Sequence, residues 1–263
     1  MILCIVPARG GSKGVPGKNL KKVGGRSLIA HAVKVGMESV CDEVALSTDS
    51  PAYAREGLKA GAHVPCLRPG HLAKDSTPMM GVIQHMVAEI EKEGERVDIV
   101  VLLQPTSPLR TAKDVDRSIK LLKRSRADSV VSVVRVPDHY NPCTILWQGK
   151  KGLYFPLNKD YKYSRRQDMP PAWIRNGAIY VFRRELLKRR KSTFFGEKML
   201  PYEMDPRFHV NIDAPEDLKK ARSLWSLFAG VARTRGGAGR RPRRSGASSR
   251  ARRGQPATGP RGQ

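Results

Sequence analysis

The chain has few cysteines and pairs none of them. Its four (Cys4, Cys41, Cys66, Cys143) form no C-x-x-C spacing and fall in or beside apolar segments, where they read as free thiols packing like small hydrophobes. With 263 residues available, a core can form without disulfide staples. Long hydrophobic runs are also missing. No stretch approaches the roughly 18 apolar residues that cross a bilayer, and residues 1–6 lack the basic start and cleavage site of a signal peptide. A cytosolic (cytoplasmic) protein with no membrane partner is expected. The six histidines stand in no H-E-x-x-H or Cys/His cluster, so their spacing gives zinc chemistry no support. A G-x-S-x-G elbow is absent too, which argues against acyl-enzyme hydrolysis.

Acidic residues are scarce: 24 Asp and Glu face 49 Lys and Arg, a net charge of +25. The imbalance is uneven. Residues 229–263 hold ten arginines, no lysine and no acid among many Gly, Pro and Ser, and the rest of the chain sets 39 bases against 24 acids. That segment offers no apolar face to bury and reads as a disordered tail able to hold anionic polymers nonspecifically. A nucleic-acid-binding protein is the second function class the charge raises, but no helix-turn-helix, RNA-binding or zinc-finger signature supports it.

Residues 1–136 alternate strand and helix patterns. Strands are expected at 2–6, 43–47, 63–67, 98–103 and 129–136, with helices at 27–40, 51–60, 78–92 and 112–124. Such alternation builds βαβ units and a mostly parallel sheet covered on both faces, a Rossmann-like three-layer α/β sandwich. Residues 137–172 break the rhythm with turn-rich, aromatic, basic sequence and a hairpin at 145–155 about Gly149-Lys150-Lys151-Gly152, which marks an insertion. The pattern then returns: a strand at 178–182, a helix to about 190, a strand at 208–212 and a helix from 215 to about 228. Asp213 is the expected N-cap of that last helix. One α/β domain with this insertion is thus expected over 1–228.

The stretch Pro7-Ala8-Arg9-Gly10-Gly11-Ser12-Lys13-Gly14-Val15-Pro16-Gly17-Lys18-Asn19 follows the first strand. At a strand's carboxyl end, glycines let backbone N–H groups approach phosphate oxygens while Arg9, Lys13 and Lys18 supply charge. It is neither a P-loop, which needs Gly and Thr or Ser where Ser12 and Asn19 stand, nor a G-x-G-x-x-G fingerprint.

This stretch resembles the opening of acylneuraminate cytidylyltransferases. Three further motifs agree in order: Leu102-Leu103-Gln104-Pro105-Thr106-Ser107-Pro108-Leu109-Arg110; Arg165-Arg166-Gln167-Asp168 with Arg175-Asn176-Gly177-Ala178-Ile179-Tyr180; and Asn211-Ile212-Asp213-Ala214-Pro215-Glu216-Asp217-Leu218. Together they span roughly residues 1–225, and the likeness is to bacterial members acting on sialic, legionaminic or pseudaminic acids. The resemblance implies transfer of CMP from CTP to the anomeric hydroxyl of an acidic nine-carbon sugar, with release of pyrophosphate. Close alternatives are cytidylyltransferases for other keto-sugar acids and a non-catalytic nucleotide binder.

The resemblance also implies roles. Arg9, Lys13 and Lys18 would hold the triphosphate, supported by Gly10, Gly11 and Ser12; Asn19 would contact nucleotide and Arg68 would line the cytosine pocket. Gln104 and Arg166 would bind the sugar, with Asn176 and Gly177 at the pocket wall. Asp213 is the expected Mg²⁺ ligand, because hard oxygen donors and phosphates suit that ion. Asn211 stands where many relatives carry an aspartate, so a neutral oxygen would be the second donor. Asp49 is expected to organise a loop. Cys143 stands near where sialic acid members can carry lysine, which argues against ordinary sialic acid as the substrate. A homodimer is implied, with the insertion packing on the partner through Tyr140, Trp147, Tyr154, Phe155, Tyr161 and Tyr163.

Overall fold

The computed structural model describes residues 1–12, 14–150, 152–157, 165–188 and 193–235. In chain order the elements are β1 (Ile2–Pro7), β2 (Lys22–Val23), β3 (Arg26–Ser27), α1 (Leu28–Met37), β4 (Glu43–Ser47), α2 (Pro51–Ala60), α3 (Met79–Lys92) and β5 (Ile99–Leu102). There follow α4 (Ala112–Arg124), β6 (Ser129–Arg135), β7 (Trp147–Gly149), β8 (Gly152–Tyr154), β9 (Trp173–Arg183), β10 (Met199–Glu203) and α5 (Pro215–Arg235). Local chemistry sets many of these bounds. Ser27 Oγ accepts from Ala30 N–H at the start of α1, and Thr111 with Asp114 forms a reciprocal capping box on α4, each satisfying donors that a helix start leaves orphaned. Gly61 closes α2 at φ +97°, a conformation that favours glycine.

The main sheet runs β10-β6-β9-β5-β1-β4. β4, β1 and β5 are parallel neighbours, as are β6 and β10, while β9 is antiparallel to both β5 and β6. The expected mostly parallel α/β sandwich therefore stands, with one reversed strand at its centre. One sheet face packs Cys4, Val6, Val44, Leu46, Val101 and Leu103 against α1 and α4 residues such as Ile29, Val33 and Ile119. The other packs Leu3, Ile5, Val100 and Leu102 against Ile83, Met86 and Ile90 of α3. All four cysteines are free thiols, Cys4 and Cys143 buried and Cys41 and Cys66 half-buried.

Several sequence expectations are corrected. No strand forms over 63–67: only His63 bridges Ala45. No strand forms over 208–212 either; its alternating Phe208, Val210 and Ile212 bury instead in a third core with Val23, Leu28, Leu218 and Phe228. The sheet is completed by β10, an unanticipated strand pairing with β6 at the edge, where Pro201 is tolerated. Among the described residues after β9 the chain makes a 3₁₀ turn, Arg184–Lys188, rather than the expected helix; residues 189–192 lie outside the described residues. The last helix does not stop near Phe228 but continues to Arg235, and Val231 and Ala232 pack on the third core. The tail boundary set at 229 is thus too early by about two turns; residues 236–263 lie outside the described residues.

The insertion enters after β6 and carries the expected hairpin as β7 and β8. Its Tyr140, Trp147, Leu153 and Tyr154 are exposed; Tyr161 and Tyr163 lie outside the described residues. No helix among them is long and apolar enough to cross a membrane.

Candidate active site

The strand order places a topological switch at β1: α1 carries the chain to β4 on one side, and the later crossover brings β5 to the other. In open α/β sheets ligands bind beyond the carboxyl ends of strands at that point. A cleft of about 410 Å³ opens there, lined by Pro7, Arg9, Ser12, Gly14, Lys18, Asn19, Arg68, Met79, Gln104, Pro105, Thr106 and Asp213. Three loops meet in it.

The first is the glycine-rich loop after β1. Gly10 N–H donates to Asp49 Oδ1 at 2.8 Å, which makes Asp49 the loop organiser that the sequence suggests. Asn19, 5% exposed, closes the other end by donating from Nδ2 to Arg9 O at 3.3 Å. Gly14 packs so closely on the Asp213 segment that a Cβ would stand 2.2 Å from Asp213 O. Arg9 pairs with Asp75 on the loop before α3. Lys13 lies outside the described residues. Gly10 and Gly11 belong to the loop without lining the cleft itself.

Arg68 reaches the same cleft from the connection between α2 and α3. It is 6% exposed, and it is fixed by Nε to Ser47 Oγ at 3.0 Å and Nη2 to Ser47 O at 2.7 Å. Burial pushes its pKa down, although Asp49 nearby opposes the shift. The guanidinium is built into the cleft wall, not solvated after a strand.

The third contribution comes from the segment before α5. Ile212 N–H donates to Thr106 O at 2.8 Å, and Lys18 Nζ donates to Ile212 O at 2.8 Å and to Asp213 Oδ1 at 3.0 Å. Asn211 Nδ2 holds the other carboxylate oxygen, Oδ2, at 2.5 Å. Asp213 does not cap α5 with its side chain, contrary to the sequence expectation. Asp217 does that work from within the helix: its Oδ2 accepts from Asp213 N–H and Ala214 N–H at 2.9 and 2.8 Å, which holds its carboxyl below the usual range. Asp213 is thereby released to face the cleft, its side chain 67% exposed.

The wall beneath Gln104 is a buried polar network. A register shift between Val131 and Val133 marks a bulge opposite β9, a device that re-aims side chains. There Ser132 Oγ donates to Asn176 Oδ1 at 2.6 Å and accepts from Ile179 N–H at 2.7 Å. Asn176 Oδ1 also accepts from Ala178 N–H, and its Nδ2 reaches Met204 Sδ. The Asn176 side chain is spent inside the wall and does not line the cleft. Gly177 turns with φ +74°; a Cβ there would meet Ser107 Oγ at 3.0 Å and Gln104 Oε1 at 3.1 Å. Arg166 sits exposed on a short 3₁₀ turn of the insertion, also outside the cleft lining, beside Arg165, which pairs with Asp168.

Arg110, at the end of the Gln104–Arg110 motif, carries a role that the sequence does not single out. It is 2% exposed, and its Nη1 donates to Gln104 O at 2.7 Å and Ser107 O at 2.6 Å, clamping the turn that carries Gln104. Its Nε and Nη2 are buried with no hydrogen-bond partner among the described residues. Burial pushes its pKa down to about 10, still leaving it charged at neutral pH. The available signal was an arginine closing a tight Pro-Thr-Ser-Pro turn.

Comparison with known proteins agrees with this geometry. The family model described as "Cytidylyltransferase" matches residues 3–227. A CMP-N,N'-diacetyllegionaminic acid synthase of Legionella pneumophila is 31% identical over 229 residues, covering 86% of this chain and 97% of that protein. An N-acylneuraminate cytidylyltransferase of Streptococcus agalactiae is 32% identical over 218 residues, covering 82% of this chain. The chain spans about half (51%) of the length of that relative. A solved CMP:2-keto-3-deoxy-manno-octonic acid synthetase, complexed with CTP, shares the fold at TM-score 0.64 and 19% identity, over 86% of this chain and 98% of that one. The cleft at the β1/β5 switch, the ordered motifs and these matches agree: the chain belongs to the cytidylyltransferase family.

Proposed function

We propose that the cleft transfers CMP from CTP to the anomeric hydroxyl of a nonulosonic acid and releases pyrophosphate. The observation that carries this reading is the convergence of Arg9, Lys18 and Arg68 with the carboxylate of Asp213 around one cleft at the switch point. The names of the Legionella and Streptococcus relatives support the substrate class. In the reaction the sugar oxygen attacks the α-phosphorus, the bond to the β-phosphate's bridging oxygen breaks, and the hydroxyl proton leaves to solvent. Negative charge develops on the non-bridging and leaving oxygens, so positioned cations carry the catalysis.

Each residue then has a task. Arg9 exchanges its ion pair with Asp75 for triphosphate oxygens, and Lys18 and Lys13 add charge beside them. Amides of Gly10 and Gly11 with Ser12 support the phosphates, Asn19 holds the loop closed on the nucleotide, and the fixed guanidinium of Arg68 forms the cytosine wall. Gln104 addresses the sugar, backed by Gly177 and Asn176. Arg166 suits the sugar carboxylate as a planar bidentate donor; the insertion must bring it there, over its own cleft or that of a second copy. The exposed Trp147, Leu153 and Tyr154 fit such a homodimer, as residues favoured in interfaces.

The donor set at Asp213 suits Mg²⁺ once the Asn211 amide turns over: its Nδ2 now donates to Asp213 Oδ2 while its Oδ1 accepts from Ser107 Oγ at 3.4 Å, and after that turn the carboxylate and the amide oxygen are hard donors that phosphates and water can complete. In the ligand-free chain the Lys18 ammonium already answers the Asp213 charge. Bound there, Mg²⁺ would neutralise charge on the phosphate oxygens. Incubation with CTP, Mg²⁺ and sialic, legionaminic, pseudaminic and eight-carbon keto acids, with pyrophosphate as the readout, tests the reading. Release dependent on a nine-carbon acid is expected. Release with only the eight-carbon acid, or without any acid, contradicts it.

A further inference from the structure

Away from the cleft, the connection between α2 and α3 lies along α3, and two mixed clusters form in that seam. In one, His63 is committed on both ring nitrogens: Nδ1 stands 2.6 Å from Glu43 Oε1 and Nε2 stands 3.4 Å from Glu93 Oε1. That cluster is an internally satisfied ion-pair group. One turn of α3 away, Cys66, His85 and Glu89 offer sulfur, nitrogen and oxygen atoms all within 4.8 Å of one another. Here the imidazole is uncommitted. His85 Nε2 is 4.0 Å from Glu89 Oε1, beyond hydrogen-bond reach, and Nδ1 is buried with no partner among the described residues. Nε2, the nitrogen beside Glu89, is thus open to a ligand, and with Nδ1 also unpartnered no protein group among the described residues claims the ring.

We propose that Cys66, His85 and Glu89 form a site for a thiophilic divalent cation of the zinc type, joining the α2–α3 connection to α3. Thiolate, imidazole and carboxylate are the donor types Zn²⁺ takes, and a hard ion such as Mg²⁺ has little use for the sulfur. Donor atoms of a tetrahedral zinc stand about 3.4–3.6 Å apart, as bond lengths near 2.0–2.3 Å require. The observed spacing, at most 4.8 Å, therefore needs a contraction of up to about 1.4 Å, within reach of side-chain rotation. His85 and Glu89 are i and i+4 on α3, so they share one face. Lys92 Nζ holds Glu89 Oε1 at 2.7 Å and must yield that oxygen or leave Glu89 its second one. Sequence spacing concealed the site because Cys66 lies on a different element from the other two ligands. It is separate from the Asp213 site, and it does not depend on the reaction proposed above. Its consequence is local: Cys66 is two residues before Arg68, so a bound ion stiffens the loop that carries the Arg68 guanidinium into the cleft.

Chelator-stripped full-length protein titrated with Co²⁺ in excess Mg²⁺ tests the proposal through a thiolate-to-cobalt charge-transfer band, which requires a cysteine ligand. The expected result is one equivalent of Co²⁺ per chain, a band displaced by Zn²⁺, loss of the band in Cys66→Ser, and at least tenfold weaker binding in His85→Gln. Both variants are checked by circular dichroism, and Cys41→Ser, which keeps all three ligands, should retain the band. No band at micromolar Co²⁺, or an unchanged band in folded Cys66→Ser, overturns the proposal.

Discussion

Replacing Arg110 with methionine separates the positioning of the cleft from the stability of the fold. Methionine keeps a comparable unbranched stem in a site that is 2% exposed while removing the guanidinium. Two charge-assisted bonds, to Gln104 O and Ser107 O, disappear, a loss of about 1.5–3 kcal/mol each. Against this, the wild-type structure buries a cation whose Nε and Nη2 lack partners, and desolvating such a charge costs several kcal/mol that the variant no longer bears. The two effects are of similar size. Stability in urea should therefore change by no more than about 2 kcal/mol. Catalysis has no such compensation, because the turn bearing Gln104 loses its clamp, and misplacement by about 1 Å can cost ~100-fold. A fall in kcat/KM of at least tenfold is expected with a near-normal unfolding midpoint. Arg110→Lys should not restore activity, since an ammonium cannot reproduce the fixed fork that spans both carbonyls. A folded Arg110→Met protein with wild-type kinetics would refute the clamp.

Under saturating Mg²⁺, Asp213→Ala should lower turnover by at least 100-fold and Asn211→Ala by less, because only the first removes a carboxylate; equal, small effects in steady-state kinetics would place the metal elsewhere. Deleting 236–263 should leave CTP turnover nearly unchanged and reduce salt-sensitive retention on RNA, whereas deletion from 229 should also lower the melting temperature by stripping Val231 and Ala232 from the third core. Light scattering at micromolar concentration should give a dimer, and Trp147→Glu with Leu153→Glu should give a folded monomer; an active wild-type monomer would remove the insertion from any interface.

Where chemistry was local in the chain, it could be read directly. The glycine-rich loop after β1 stood out as glycine and charge at a strand end, and its Arg9, Ser12, Gly14 and Lys18 line the cleft. β4, α2 and α4 also matched their sequence bounds, because each couples periodicity to a clear start signal such as Ser50 or Thr111. Residues 208–212 misled because alternation reports burial, not pairing: Phe208, Val210 and Ile212 alternate toward a core built by α5. β10 was missed because Pro201 and an exposed Glu203 disguise an edge strand. Arg110, the Ser132–Asn176 network and the release of Asp213 by Asp217 are tertiary facts. They depend on which polar groups find one another inside the fold, and spacing along the chain does not encode that.

In the proposed reaction the acid's own hydroxyl attacks the α-phosphate of CTP within this cleft. A nonulosonic acid carrying ¹⁸O at its anomeric hydroxyl, incubated briefly with enzyme, CTP and Mg²⁺, tests it by mass spectrometry of both products. Direct attack by that hydroxyl predicts ¹⁸O in the CMP-sugar linkage and none in pyrophosphate. Formation of free CMP without CMP-sugar, or a CMP-sugar that has lost the label to water, would contradict it.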